Sequence, residues 1–267
     1  MEVSSVSFFN LLGKAFLEFI EEVGGIFILL ARVVQLLPRT FGNMRNTLIQ
    51  MERIGIGSIP LVLVTSLFVG AVTSIQAAYQ FHGYVPLMYL GTVVGKSVIL
   101  ELGPVLTALV VGGRVSASIA AELGTMKVTE QLDAMEMIAI DPVEFLVLPR
   151  LVAATIMLPV LTIFSDLLAI LGGMVVANIS IGVSFNTFAS GLKLLFRYQD
   201  LVGGLMKTFV FGLIIAHMGC YHGFVTRGGA EGVGRATMRA VVSSCLLILI
   251  SNYLLASLIF RIIFPPA

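Results

Sequence analysis

Three ionisable side chains stand inside long apolar stretches of this sequence, and they are the first candidates for function. Glu101 comes just before Gly103-Pro104, while Asp166 and Lys207 each interrupt a different apolar run. A charge in apolar surroundings costs free energy unless it is neutralised, so such residues are functional candidates by default. Lys207 allows two interpretations, contact with Glu101 or a ligand head group, or extension of its stem to the nearest polar surface. Asp166 is interpreted either as a satisfied polar contact or as part of a seam between two copies.

The sequence lacks the residue patterns of a metal site or a hydrolytic active site. The segment Gly91–Ser97 is similar to a phosphate-binding loop, but it has three residues between the glycines where that loop has four. Gly91 and Gly95 are therefore interpreted as a small-residue contact between helices. The histidines and cysteines, which show no ligand spacing, are His82, His217, His222, Cys220 and Cys245. We expect no metal, no cofactor and no ATP hydrolysis by this chain itself.

The composition predicts a membrane protein. Of 267 residues, 58% are hydrophobic and 12% are charged, whereas a soluble domain carries about 25% charged residues. A chain of this size cannot bury so much apolar surface in its own core, whereas lipid removes that requirement. A spanning helix needs about 20 apolar residues. The apolar blocks that meet this length predict five spans in one domain, at residues 54–81, 87–121, 151–181, 201–224 and 240–260.

The N-terminal segment and the basic residues predict how the chain is oriented. Residues 5–38 are expected to form an amphipathic helix in the membrane interface. Its apolar side is marked by Phe8, Leu12, Phe16, Phe19, Val23 and Phe27. Short loops rich in Lys and Arg face the cytoplasm, and an N-terminus inside places ten basic residues there, against Lys193, Arg197 and Arg261 outside. The net charge of +1 gives no reason to expect nucleic acid as a partner.

The polar segment 122–150 lies between the second and third predicted spans, and a helix is expected there at about residues 127–138. Leu132, Met135 and Ile138 recur at spacings of three and mark one face. Methionine is common at adaptable binding surfaces, so this helix is interpreted as one that docks into a groove of a soluble partner. The other interpretation is a solvated helix that only connects two spans, and the spacing alone favours it.

The sequence from Glu101 to Arg150 carries a long series of motifs that resembles a known family. The motifs are Glu101-Leu102-Gly103-Pro104-Val105-Leu106-Thr107-Ala108, Gly113-Arg114, Ala121-Glu122-Leu123-Gly124-Thr125-Met126, Thr129-Glu130-Gln131-Leu132-Asp133-Ala134-Met135, Ile140-Asp141-Pro142 and Pro149-Arg150, followed later by Gly234-Arg235-Ala236-Thr237. Together they resemble the signature region of the MlaE (YrbE) permeases, which serve ABC transporters of phospholipids and related lipids.

The resemblance implies partners and site residues. It implies a homodimer in the bacterial inner membrane, with separate cytoplasmic ABC ATPase subunits and a lipid-binding MCE-domain protein. The helix at about Lys127–Ile138 would then be the coupling helix, and its candidate residues are Glu130, Leu132, Asp133, Met135 and Glu136. A phospholipid would lie between the two copies, and its candidate contacts are Glu101, Lys207, Gln76 and Tyr79.

Two other functions are compatible with the residues alone. In a secondary transporter driven by an ion gradient, Glu101, Asp166 and Lys207 would relay ions or protons. The sequence shows no internal repeat, which counts against the folds built from duplicated halves. A membrane scaffold without transport is the remaining alternative.

Overall fold

The computed structural model describes residues 2–81 and 84–263, and every regular element in these ranges is helical. His82 lies outside the described residues, as do the side chains of Phe8, Leu12 and Phe19. The ten α-helices are α1 (Glu2–Leu36), α2 (Met44–Gly55), α3 (Ile59–Phe81), α4 (Leu90–Ser97), α5 (Gly103–Val128), α6 (Gln131–Met137), α7 (Leu148–Ile181), α8 (Phe185–Leu194), α9 (Tyr198–Phe224) and α10 (Gly229–Ile263).

Within residues 2–81 and 84–263, five continuous helical stretches are long and apolar enough to cross a membrane. They are Met44–Phe81, Leu87–Val128, Val143–Ile181, Tyr198–Phe224 and Gly229–Arg261. The predicted fold class, an all-α integral membrane protein with five spans, is confirmed.

The first three spanning stretches are much longer than a bilayer requires. They contain 38, 42 and 39 residues, where about 20 suffice. The chain enters the first stretch, leaves the second and enters the third at the same end of the bundle. Their surplus residues therefore overhang together, and α2 packs against α7 in this region. We call this the overhanging end; the loops Gly182–Ser184 and Leu195–Arg197 lie at the opposite end.

The buried apolar side chains form two clusters stacked along the bundle. The first lies toward the overhanging end and includes Leu123, Leu132, Leu148 and Phe211. The second lies toward the opposite end, where α3, α4, α7 and α8 meet, and includes Leu90, Val94, Val98 and Phe188.

Glycines allow the spanning helices to approach closely, and the contact between α3 and α7 is the clearest case. A Cβ atom on Gly70 would overlap the carbonyl oxygen of Ala169, and one on Gly172 would lie 2.5 Å from the carbonyl oxygen of Leu67. Lipid supplies no hydrophobic force between helices, so close van der Waals packing of small residues stabilises such pairs. Gly91 in α4 likewise faces the backbone of α8 at Phe188, as the helix-contact interpretation predicts.

The N-terminal helix α1 is attached to α9 near the overhanging end. The Nε2 atom of His217 donates to the carbonyl oxygen of Ile26 at 2.9 Å. A Cβ atom on Gly25 would lie 2.8 Å from the hydroxyl oxygen of Tyr221. Phe16 and Phe27 of α1 remain exposed, which leaves an apolar side available for the membrane interface.

We predict that Gly70→Ala destabilises the fold, because the added methyl group forces α3 away from the backbone of α7. Overpacking of this kind costs about 1–3 kcal/mol, and it should appear as a lower thermal unfolding midpoint in detergent. Gly113→Ala is the matched control, since a Cβ atom there meets nothing within 4 Å. Equal midpoints for the two variants would contradict the packing argument.

Candidate functional site

The helix that forms the second span changes its hydrogen-bond pattern at Glu101. Residues Val98–Leu102 form one π-helical turn, and the N–H of Gly103 donates to the carbonyl oxygen of Val98. Pro104 follows and has no N–H to donate to the carbonyl of Leu100, four residues earlier. Single π-turns of this kind are frequent at functional sites.

Lys207 of α9 supplies the donor that Pro104 lacks. Its Nζ atom donates to the carbonyl oxygen of Leu100 at 3.0 Å and forms an ion pair with Glu101 Oε1 at 2.5 Å. Only 3% of the Lys207 side chain is exposed. Lys207 therefore points into the protein, toward Glu101, and does not extend to a polar surface.

Glu101 is bound on one side and accessible on the other. Asn252 of α10 donates through Nδ2 to Glu101 Oε2 at 3.1 Å, yet 39% of the Glu101 side chain is exposed. The structure thus joins the second, fourth and fifth spans through one carboxylate. A carboxylate held in this way can accept a further hydrogen bond or a cationic group from a ligand.

A second ion pair links the same two spans nearer the opposite end. Lys96 Nζ lies 3.5 Å from Asp200 Oδ2, and the Asp200 side chain is almost fully buried. Along the second span the cation Lys96 comes before the anion Glu101. Along α9 the anion Asp200 comes before the cation Lys207. The two pairs, Lys96–Asp200 and Glu101–Lys207, therefore disfavour any sliding of α9 along the second span, because sliding would bring like charges together.

Asp166 of α7 lies near the same turn. It is 5% exposed, and its Oδ1 atom packs so closely on Gly103 that a Cβ atom there would overlap it. Within the described residues neither Asp166 Oδ1 nor Thr107 Oγ1 has a hydrogen-bond partner. Asp166 is therefore buried inside one copy of the chain, beside the π-turn.

The other two residues assigned to this site, Gln76 and Tyr79, lie on the exposed surface of α3. Tyr79 is 84% exposed. In the described part of the chain, no hydrogen bond joins either residue to Glu101, Lys207 or Asn252. A single copy thus does not bring all four predicted lipid contacts together.

The helix expected between the second and third spans is α6, which is shorter than predicted. Leu132 is 3% exposed and belongs to the cluster of buried side chains at the overhanging end, and Met135 packs against the same cluster. These two residues therefore attach α6 to the bundle and do not form its outer surface. The exposed side chains in and beside α6 include those of Glu130, Asp133, Glu136, Met137 and Ile138.

Ion pairs hold the chain on either side of α6 in place. Glu122, at the end of the second span, contacts Arg150 at 2.9 Å and Arg53 at 3.3 Å. Arg150 is buried, and its guanidinium also donates to the carbonyl oxygen of Leu146 at 2.8 Å. The overhanging ends of the first three spanning stretches are therefore tied together by one carboxylate between two guanidinium groups.

Two further pairs tie the segment after α6 to the N-terminal region. Arg32 of α1 lies 3.0 Å from Asp141, and Arg39 lies 2.9 Å from Glu144. Sequence reasoning counted Arg32, Arg39 and Arg53 as loop charges and missed these partners. The carboxylates in segment 122–150 were the available signal, but the sequence does not show which arginine meets which carboxylate.

A model of the family described as Permease MlaE matches residues 47–258. The chain belongs to the MlaE permease family.

Similar proteins span nearly the whole length of this MlaE permease. A probable ABC transporter permease protein of Rickettsia typhi is 40% identical and is aligned over 95% of this chain and 98% of its own. A probable ABC transporter permease protein of Synechocystis is 44% identical, over 82% of this chain and 83% of its own. The intermembrane phospholipid transport system permease protein MlaE of Haemophilus influenzae is 31% identical, over 96% of this chain and 98% of its own.

We predict that Lys207→Met destabilises this MlaE permease by about 2 kcal/mol, because it removes the cation from a pair of which one member is buried. The double variant Lys207→Met, Glu101→Gln should recover part of that loss, since no uncompensated charge remains. Thermal unfolding of the two single variants and the double variant measures the coupling. Strictly additive effects would show that the pair does not stabilise the fold.

Proposed function

We propose that this MlaE permease is the membrane subunit of an ATP-driven lipid transporter. Two copies span a bacterial inner membrane, bind separate ABC ATPase subunits on the cytoplasmic side, and pass a phospholipid or related lipid to or from an MCE-domain partner outside. The observation that carries the proposal is the short helix α6. Its inner side, with Leu132 and Met135, packs on the bundle, and its outer side is exposed. Membership of a family of ABC transporter permeases supports the same assignment.

The surface of α6 suits a protein partner. Met137 and Ile138 are 88% and 68% exposed, although they lie beyond the spanning segments, where lipid does not cover them. Exposed apolar residues with charged neighbours are typical of interaction sites, and here Glu130, Asp133 and Glu136 are the acidic neighbours. Because Leu132 is buried in the bundle, a partner that displaces α6 also displaces the spans packed against it.

The overhanging end is assigned to the cytoplasm. Arg32, Arg39, Arg53, Lys127 and Arg150 all lie at this end, and cytoplasmic loops carry an excess of Lys and Arg. Five crossings then place the N-terminus inside and the C-terminus outside.

The lipid site is assigned to the exposed side of Glu101. Lys207 holds this carboxylate in position, and Asn252 connects it to α10, whose neighbouring residues Leu249 and Tyr253 are exposed. A second copy packed on this apolar surface would enclose Glu101 from both sides. Gln76 and Tyr79 of α3 are assigned to the edge of the enclosed space, where the second copy completes the site.

We predict that Glu101→Gln lowers lipid transport roughly tenfold per assembled complex, because the charge-assisted hydrogen bond between Glu101 and the lipid is replaced by a weaker neutral one. Transfer of fluorescent phospholipid by the reconstituted complex measures the effect. Glu52→Gln, an exposed position on α2, is the control. Wild-type transfer by Glu101→Gln would remove Glu101 from the site.

We predict that the double variant Glu130→Lys, Asp133→Lys weakens association with the ATPase subunit at least about tenfold, because it reverses one charge in α6 and one just before it. The double substitution should change the stability of the permease little. Asp133 loses an exposed ion pair with Lys127, and such pairs contribute about 0–1 kcal/mol to the free energy of unfolding. Co-purification of the ATPase with tagged permease is the measurement. Glu231→Lys reverses an exposed charge at the same end of the bundle, outside α6, and should leave association unchanged. Unchanged co-purification of the α6 variant would overturn the coupling assignment.

A further inference from the structure

A groove of about 700 Å³ opens between α1, α9 and α10 at the overhanging end. Its polar wall includes Glu21 and Glu22 from α1, His222 from α9, Arg227 from the loop between α9 and α10, and Arg239 from α10. None of these residues belongs to the Glu101 site or to α6. The groove therefore needs an explanation of its own.

The groove carries charges of both signs that the chain does not neutralise. His222 is 3% exposed, shares a hydrogen bond of 3.0 Å with Ser243 Oγ, and lies 3.9 Å from Glu22. Among the described residues, no carboxylate forms an ion pair with Arg227 or Arg239, and no basic side chain forms one with Glu21. An occupant with an anion and a cation a few ångströms apart would satisfy both walls.

The remaining wall is apolar and leads away from the charges. Met238, Val242 and Leu246 of α10 line the groove at spacings of four and are 65%, 53% and 55% exposed. One side of α10 continues with exposed Leu249 and Tyr253 toward Asn252, which binds Glu101. From Met238 to Asn252 the helix rises about 21 Å at 1.5 Å per residue, which exceeds the depth of one leaflet, about 15 Å in a bilayer whose apolar core is about 30 Å thick.

We propose that this groove binds a phospholipid with an ammonium-bearing head group, such as phosphatidylethanolamine. The phosphate lies against Arg227 and Arg239, the ammonium group lies against Glu21 and Glu22, and an acyl chain follows Met238, Val242 and Leu246. This proposal rests on the proposed lipid-transport function. It adds a second lipid site on α10, the helix that contacts Glu101 through Asn252.

The test counts phospholipids bound to the purified full-length permease by native mass spectrometry, with phosphatidylethanolamine or phosphatidylglycerol supplied at equal concentration. Arg239→Ala should lower retention of both lipids about tenfold, because both contain the phosphate. The double variant Glu21→Gln, Glu22→Gln should lower retention of phosphatidylethanolamine about tenfold and leave phosphatidylglycerol unchanged or better retained. Arg235→Ala is the matched control one turn away, since Arg235 pairs with Glu231 and does not line the groove.

Two outcomes would overturn the proposal. Lipid retention that is unchanged in all variants shows that the groove does not bind a head group. Loss of dimer without a change in head-group preference, seen by size-exclusion chromatography, shows that a second copy covers the groove. The binding test needs no ATPase or MCE partner, so its failure is distinct from a failure of the transport assay on Glu101→Gln.

Discussion

The buried ammonium group of Lys207 is the interaction on which the arrangement of the spans depends. A cation inside a membrane bundle is tolerated only with partners, and Lys207 has two on one turn of the second span. It neutralises Glu101 and donates to the carbonyl that Pro104 leaves without a helical donor. One side chain thus both neutralises the Glu101 carboxylate and gives the carbonyl oxygen of Leu100 a hydrogen-bond donor. The π-turn, the kink-prone Gly103-Pro104 and α9 are consequently fixed relative to one another.

Helix α5 connects this turn to the overhanging end without interruption. It runs over 26 residues from Gly103 to Val128, about 39 Å at 1.5 Å per residue, and α6 follows almost at once. Glu122, near the end of α5, forms ion pairs with Arg53 and Arg150. In the proposed transporter, a displacement at α6 would therefore move the whole of α5, and the response would appear at Glu101. Rigid packed helices carry such displacements well because they do not deform continuously.

The two ends of the bundle differ in how they are held. At the overhanging end, ion pairs join Arg32 and Arg39 to the segment after α6. A further carboxylate, Glu122 of α5, joins Arg53 of α2 to Arg150 of α7. The membrane interior is held by glycine contacts, as between Gly70 and Ala169, and, among the residues that the structure describes, by two ion pairs between the second span and α9. This division follows from the surroundings: water screens and solvates the outer pairs, so they rearrange at low cost, whereas charges inside the membrane must be few and matched. In the proposed transporter, motion that starts at the overhanging end would thus begin where the contacts rearrange most easily.

The sequence by itself determined the class of protein and the approximate positions of five spans, and it predicted a functional site at Glu101. These features rest on local properties, namely apolar length, charge frequency and the neighbourhood of a proline. It did not determine that Leu132 and Met135 face inward, because a three-residue spacing marks a face without saying what the face contacts. It offered contact between Lys207 and Glu101 only as one interpretation among others, and it did not pair Arg32 with Asp141. These partners lie 106 and 109 residues apart in the chain. Only the tertiary structure decided these pairs, because the partner of a charge depends on the depth and rotation of two helices that are set by packing over their whole length.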